Sequence, residues 1–355
     1  MHSRTTILAL ALAVLISACS DGDAPSVTGQ EPSAAPPAPP AVAAQAESQP
    51  QDQVRSAGPA YAPSNVTMAL QQVGQHSYYV QGAAGVATDN EGFISNAGFV
   101  VTDAGVVVID ALGTPSLAVK LRQLIAAVTD QPVVLVVTTH YHADHIYGLQ
   151  VFKDEGAEVW APAGALTYLA SPQAGERLEE RRFSLDPWVN DRTRLVRPDR
   201  IVSENIRFSV GGVDFRIDQL GAAHSDGDMS VFVMQDKVLY SGDIIFEGRV
   251  PYVGDANTKQ WLAALTAMQT DGLSALVPGH GPAASDPAGA IAATRDYVGY
   301  LRQVMGAAVS ELQDFDSAYK AADWSRFEKL PAFEAANRRN AYQVYLSMEA
   351  EALAN

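Results

Sequence analysis

Two kinds of apolar run alternate along most of the chain. Short continuous runs such as Val106-Val107-Val108-Ile109 and Val133-Val134-Leu135-Val136-Val137 are bounded by polar residues and Gly. Runs of this length, rich in β-branched residues, predict strands of a sheet covered on both faces. Between them lie segments whose apolar positions recur every three or four residues, the spacing of a helix with one buried side. The pattern predicts strands at 66–73, 77–82, 93–102 and 105–110, a helix at 115–129 and a strand at 133–138. A helix follows with Ile146, Leu149, Val151 and Phe152 on its apolar side, then a strand at 157–161 and a helix at 163–182 that ends in Glu179-Glu180-Arg181-Arg182. Further strands are predicted at 201–209, 212–219, 229–234 and 237–241, then a helix at 257–271 and a strand at 274–277. From 287 onward the pattern is helical, with Tyr297, Tyr300, Leu301 and Val304 on one stripe. Periodicity alone therefore gives an α/β fold.

The first 62 residues follow neither pattern. Arg4 precedes the apolar run from Ile7 to Ile16, which is short for a permanent membrane span and suits a cleavable leader. Ile16-Ser17-Ala18-Cys19 then resembles a bacterial lipoprotein signal, and Cys19 is the only cysteine in the chain. The expected arrangement is a signal peptide over 1–19, with a lipid anchor at Cys19 that tethers the protein to a membrane. What is known of such signals, with Ser20 following, places it at the outer membrane of the bacterial envelope, on the periplasmic side. Cleavage without lipidation would instead release a soluble periplasmic protein. Residues 20–62 are rich in Ala, Pro, Gln and Ser, a composition that cannot bury a core and predicts an extended tether. The folded domain is expected over 63–355.

The chemistry concentrates behind the strand at 133–138. His140-Tyr141-His142-Ala143-Asp144-His145 places three imidazoles and a carboxylate within six residues, in a chain with seven histidines. Loops at the carboxyl ends of such strands are where α/β sheets build sites. Neutral imidazoles and carboxylates together suit a borderline divalent ion such as zinc.

H-x-H-x-D-H after an apolar strand resembles the metallo-β-lactamase superfamily of hydrolases. Three later stations match the same pattern: His224 in Ala223-His224-Ser225-Asp226-Gly227-Asp228, Asp243 in Tyr240-Ser241-Gly242-Asp243, and His280 in Val277-Pro278-Gly279-His280. The resemblance spans roughly residues 66–285 and implies an αββα sandwich, two facing sheets with helices outside. It implies one zinc ion held by His140, His142 and His224, a second held by Asp144, His145 and His280, and Asp243 between them. It also implies that Asp144 orients the attacking water, and that Asp110, at the end of its strand, positions a ligand histidine. A cap for the helix beginning near Pro115 is the competing role for Asp110.

Such a dinuclear site suits attack on an acyl carbon, and the expected substrate is a small acyl compound: an ester, thioester, lactone or amide. β-Lactams are an alternative. The familiar zinc β-lactamases carry a cysteine where this chain has Asp243, and a lysine where it has Phe246. Arg249 and Lys259 are candidate replacements for that cation, with surface roles as the competing reading. His76 is a further candidate substrate contact, since the first hairpin of such folds can overhang the site; a surface strand position is its alternative. Asp243 is more similar to glyoxalase II, and Phe246 to Tyr252 to periplasmic relatives found beside sulfur-oxidation and quinoprotein systems. An iron-dependent sulfur dioxygenase and a non-catalytic tethered metal-binding module are the other classes considered. With 40 acidic against 24 basic residues and a net charge of −16, the chain lacks the basic character that phosphate-backbone binding needs, which argues against nucleic acid as a partner.

Overall fold

In a computed structural model the described residues are 61–354. The expected leader and almost all of the expected tether, with Cys19, lie outside them. The fold already includes Tyr61, whose ring packs on the first core and whose hydroxyl accepts a hydrogen bond from Gln150. No helix among the described residues is long and apolar enough to cross a membrane.

Two sheets organise the chain. The first holds β1 (Leu70–Gln72), β2 (Ser77–Val80), β3 (Ala97–Thr102), β4 (Gly105–Ile109), β5 (Val133–Val137), β6 (Glu158–Pro162) and β7 (Arg200–Val202), side by side in chain order. Neighbours are antiparallel from β1 to β4 and parallel from β4 to β7. The second sheet runs β12 (Ala275–His280), β11 (Val238–Phe246), β10 (Asp228–Val233), β9 (Val213–Gly221), β8 (Ile206–Val210). Its strands are antiparallel except for the β11–β12 pair.

The side chains of each strand alternate between two cores, as a period of two requires. In β4, Val107 and Ile109 enter the core between the sheets, while Val106 and Val108 face the helices α1 (Pro115–Val128) and α3 (Leu149–Asp154). The partners across the first interface are Phe215, Ile217, Val231 and Val233 of the second sheet. Beyond that sheet a third core gathers Leu239 and Leu276 against α6 (Thr258–Ala267), α7 (Pro287–Ser310) and α9 (Phe333–Leu353). The architecture is the αββα sandwich. Burial on both faces explains why the central strands are apolar at every position: each fully buried Val or Ile contributes about 1.5–3 kcal/mol.

Several boundaries differ from the sequence expectation, each for a local reason. The strand expected at 201–209 is two strands, β7 and β8, in different sheets; the polar Ser203-Glu204-Asn205 carries the chain from one to the other. The helix expected at 163–182 is broken into α4 (Gly164–Ala170) and α5 (Pro172–Ser184). Pro172 opens the second helix and holds Ser171 extended (φ −85°, ψ 148°). The strand expected at 66–73 shortens to β1, and that at 93–102 begins only at Ala97. β11 runs five residues past its expected end at 241, to Phe246. The helical tail comprises α7, α8 (Phe315–Ala321) and α9.

Candidate metal centre

β4, β5, β11 and β12 all end at the same edge of the sandwich. The turn after β5 carries His140 and His142, and the short helix α2 (Ala143–Ile146) that follows carries Asp144 and His145. His224 comes from the β9–β10 loop, Asp243 from within β11 and His280 from the last position of β12. The seven side chains form two sets: His140, His142, His224 and Asp243, and Asp144, His145 and His280. Within each set the ligand atoms lie within 4.8 Å of one another.

The individual distances decide whether a zinc-sized ion fits. Tetrahedral coordination at about 2.0–2.1 Å separates neighbouring ligand atoms by about 3.3–3.4 Å. His224 Nε2 stands 3.0 Å from His142 Nδ1 and 3.3 Å from Asp243 Oδ2. His280 Nε2 stands 3.3 Å from Asp144 Oδ2 and 3.2 Å from Asp243 Oδ2, and His145 Nε2 is 3.1 Å from Asp243 Oδ1. Asp243 therefore faces both sets. His140 Nε2, His145 Nε2 and Asp243 Oδ1 are buried without a hydrogen-bond partner. Such orphaned atoms are costly in a closed core and fit a bound cation.

Hydrogen bonds away from the centre assign the tautomers. Asp110 accepts from the Thr139 N–H (2.8 Å), the Thr139 hydroxyl (2.9 Å) and His145 Nδ1 (3.0 Å). The Thr139 oxygen, having given its proton to Asp110, accepts from His140 Nδ1 at 3.1 Å. His280 Nδ1 donates to the Ile94 carbonyl at 2.6 Å. Each bond leaves the Nε2 lone pair of its ring facing the centre. Asp110 is thus a positioning residue. The helix-cap role belongs instead to Thr114, which accepts from the Leu117 N–H at the start of α1.

Burial pushes His140 well below the usual histidine range, helped by the positive charge of nearby His145, and lowers His224 to about 3. Burial opposes the charge on His145 and His280 as well, yet Asp243 and its neighbouring carboxylates raise both. Asp243 and Asp144 are buried too, which alone would raise them. The surrounding histidines outweigh burial and hold both below the usual carboxylate range. Charge is balanced inside the cluster rather than by solvent.

Two backbone features bring the strands this close. Gly279 touches the carboxylate, and a Cβ there would lie 1.9 Å from Asp243 Oδ1. Gly242 turns the chain at φ +54°, with Thr139 Oγ1 2.4 Å from the place a Cβ would occupy.

The segment 94–96, expected to be strand, is instead a brace. Ile94 holds His280, the Ser95 hydroxyl donates to the Asp144 carbonyl, and the Asn96 amide donates to the Pro278 and Gly281 carbonyls on either side of His280. Ser95-Asn96 interrupting an apolar run was the available signal. Asp228 was also missed. Its carboxylate accepts from the Ala223 N–H (3.1 Å), the Ser225 N–H (2.9 Å) and the Ser225 hydroxyl (2.8 Å), which fastens the backbone on both sides of His224. His224 needs this, because its Nδ1 has no partner and the side of its ring away from the other ligands meets only the apolar faces of Trp261 and Phe246, which give no hydrogen bond. Asp228→Ala is expected to cost about 1–3 kcal/mol of stability. It should also weaken binding of one metal equivalent about 10–100-fold while sparing the other. Denaturant titration and metal titration measure the two effects, and unchanged affinity for both equivalents would refute the assigned role.

One expected substrate contact lies away from the centre and a second faces solvent. His76 precedes β2 at the opposite end of the first sheet: Ser77 pairs with Val100, whereas the site lies beyond the Val80–Ala97 end. Its ring bonds the Val101 carbonyl and its N–H bonds Asp236, so it closes a turn. Lys259 is exposed in the first turn of α6, within the electrostatic reach of Glu351 on α9. Arg249, by contrast, is buried beside the centre, with its guanidinium 5.9 Å from the Phe246 ring.

The sequence profile of the metallo-beta-lactamase superfamily matches residues 90–280, a stretch that contains all seven clustered residues. The chain belongs to that superfamily. Its members are mostly hydrolases, and in this one the His/Asp clusters are the part that could hold metal. Metallo-beta-lactamase IND-1 of Chryseobacterium indologenes is 23% identical over 193 residues, covering 53% of this chain and 72% of the relative. Acyl-coenzyme A thioesterase MBLAC2 of Gallus gallus is 31% identical over 119 residues, covering 32% of this chain and 42% of that protein. The solved structure of the sec-alkylsulfatase Pisa1 from Pseudomonas sp. superposes with a TM-score of 0.64 at 20% identity, over 79% of this chain and 50% of the sulfatase. A metallo-beta-lactamase from Pontibacter korlensis gives 0.52 at 20% identity, over 66% of this chain and 99% of that one. These structures share the fold.

Proposed function

We propose that the protein is a dinuclear zinc hydrolase that cleaves an acyl bond in a small substrate. The observation that carries this reading is the pair of ligand sets meeting at Asp243, with spacings that suit zinc. When bound, two such ions would supply Lewis acidity toward the acyl oxygen and lower the pKa of an attacking water to about 7. The side chains prepare the rest. Asp144 is the carboxylate of the centre open to solvent, its side chain 24% exposed against 4% for Asp243. Ionised at neutral pH, its carboxylate can accept a hydrogen bond from the water and turn the water's lone pair toward the acyl carbon. Asp110, Thr139 and Ile94 keep three rings in register, so little reorganisation accompanies the reaction.

The thioesterase and β-lactamase relatives both support an acyl substrate. Phe246, only 1% exposed, stacks on His280 with ring centroids 5.0 Å apart, where familiar lactamases place a cation. β-Lactams are therefore expected to be poor substrates and thioesters, lactones or esters better ones. The purified protein should bind close to two zinc equivalents by elemental analysis, and the zinc-loaded form should be assayed on a panel of these acyl compounds alongside a penicillin, a cephalosporin and a carbapenem. One iron and no zinc after exposure to both metals, or no turnover of any acyl compound, would overturn the proposal.

A further inference from the structure

Glu91 adopts a backbone conformation that is unusual for its residue type. Its φ is 60°, in the left-handed region where the Cβ of an ordinary residue crowds the backbone and glycine is the usual occupant. It is also buried. Strain of this kind persists only where the surrounding contacts enforce it. Here both carboxylate oxygens of Glu91 accept from the Asn65 N–H, at 3.1 and 3.2 Å.

Asn65 belongs to the segment by which the chain enters the domain, and that segment is fastened at further points. The Tyr61 hydroxyl accepts from Gln150 on α3 at 3.2 Å, and the Pro63 carbonyl accepts from the Trp188 indole N–H at 3.3 Å. Lys120 on α1 donates to the Ser64 carbonyl at 3.4 Å and to the Val66 carbonyl. Residues 61–66 are therefore a strap, with no helix or strand of their own. On its other side Glu91 leads directly into the brace of the metal centre. Gly92 passes over Gly113, where a Cβ would lie 2.9 Å from the Gly92 carbonyl oxygen and 3.3 Å from Asp144 Cα. Ile94 then accepts from His280, and Ser95 donates to the Asp144 carbonyl. These contacts reach Asp144 and His280, members of the second ligand set.

We infer that Glu91 is a positioning residue for the second ligand set, clamped by the 61–66 strap, so that the junction through which the chain enters the domain is part of the support of the metal centre. The inference rests on the two-metal reading above for what is supported. Released from Asn65, Glu91 would relax out of its left-handed conformation and shift the backbone that carries the Ile94 acceptor of His280.

The test titrates zinc into the metal-free protein as wild type, Glu91→Ala, Glu91→Gln and Lys120→Met, each also combined with His142→Ala. His142→Ala removes a ligand of the first set, so the zinc equivalent it keeps reports the second. Glu91→Ala should bind that equivalent about tenfold more weakly. Lys120→Met, which loosens the strap without touching Glu91, should shift it the same way. Glu91→Gln keeps an acceptor oxygen for Asn65 and should stay close to wild type. With His142 present, the other equivalent should keep its affinity throughout. Hydrogen exchange should quicken at the amides of Phe93, Ile94 and Asn96 in Glu91→Ala and Lys120→Met, since their acceptors lie within the brace or on Gly279. Wild-type zinc affinity in Glu91→Ala, an equal loss at both equivalents, or a Glu91→Gln protein as impaired as Glu91→Ala would each overturn the role. If the wild-type protein binds no second zinc ion, the two-metal reading fails. Exchange then still decides the clamp: faster exchange in the two variants upholds it, and unchanged exchange overturns it.

Discussion

Replacing His142 with alanine is expected to give a folded protein that binds one zinc equivalent instead of two and hydrolyses acyl substrates no faster than the metal-free protein. His142 is the ligand histidine that is half-exposed; His140, His145, His224 and His280 are buried. Its loss therefore opens no core cavity, and the Asp110–Thr139–His140 chain of hydrogen bonds stays in place. What disappears is one of four ligand atoms around the first ion, the one that lies 3.0 Å from His224 Nε2. Circular dichroism and denaturant unfolding should report a near-native fold, elemental analysis the stoichiometry, and steady-state kinetics the rate. Wild-type turnover with two zinc equivalents still bound would remove His142 from the ligand set.

Asp110→Asn is expected to lower metal affinity and kcat together by about 10–100-fold, with a cost of about 1–3 kcal/mol in stability. The substitution keeps the backbone, since Asp110 sits at φ 61° and asparagine tolerates that left-handed region. It changes one oxygen into an amide N–H₂ in a place where every neighbour donates. The Thr139 N–H, the Thr139 hydroxyl and His145 Nδ1 all point at this carboxylate. Whichever way the amide turns, a donor meets a donor. With the amide nitrogen at the Oδ1 position the Thr139 N–H loses its acceptor; with it at the Oδ2 position either His145 loses its orienting bond or the Thr139 hydroxyl turns away and releases His140 Nδ1. Metal titration monitored with the apo protein separates the loss of affinity from the loss of turnover in the saturated form. Native affinity and rate in the variant would show that the carboxylate charge is not what sets these rings.

Much of the centre was legible from sequence because metal ligands are chemically conspicuous. Four of the seven residues fall within six positions and stand out by type and spacing alone, whereas His224, Asp243 and His280 stood out only through the resemblance to the superfamily; the structure gathers all seven at one place. Local pattern also identifies β4 and β5, whose consecutive valines can satisfy only a strand covered on both faces. Boundaries set by a single residue were legible in principle too, as where Pro172 ends one helix and starts the next.

Other features depend on which segments meet, and that is a property of the packed molecule. His76 and Arg249 were both candidate contacts in sequence, the first from an overhanging hairpin and the second as a replacement cation. Strand direction sends the first to the far end of the sheet, while the bend after β11 buries the second beside the ligands. The brace formed by Ile94, Ser95 and Asn96 joins residues 49 to 186 positions apart, and no local periodicity encodes such a pairing. The same holds for β7 and β8, which read as one strand in sequence and belong to two sheets in space. The sequence by itself determined the ligand chemistry and the layer-forming strands, because these depend on side-chain type and on periods of two and 3.6. Only the tertiary structure decided which second nitrogen of each histidine is held, and which candidate cation is buried at the site. Those outcomes depend on hydrogen-bond partners delivered by distant strands and on the low-dielectric surroundings created when the sheets close over them.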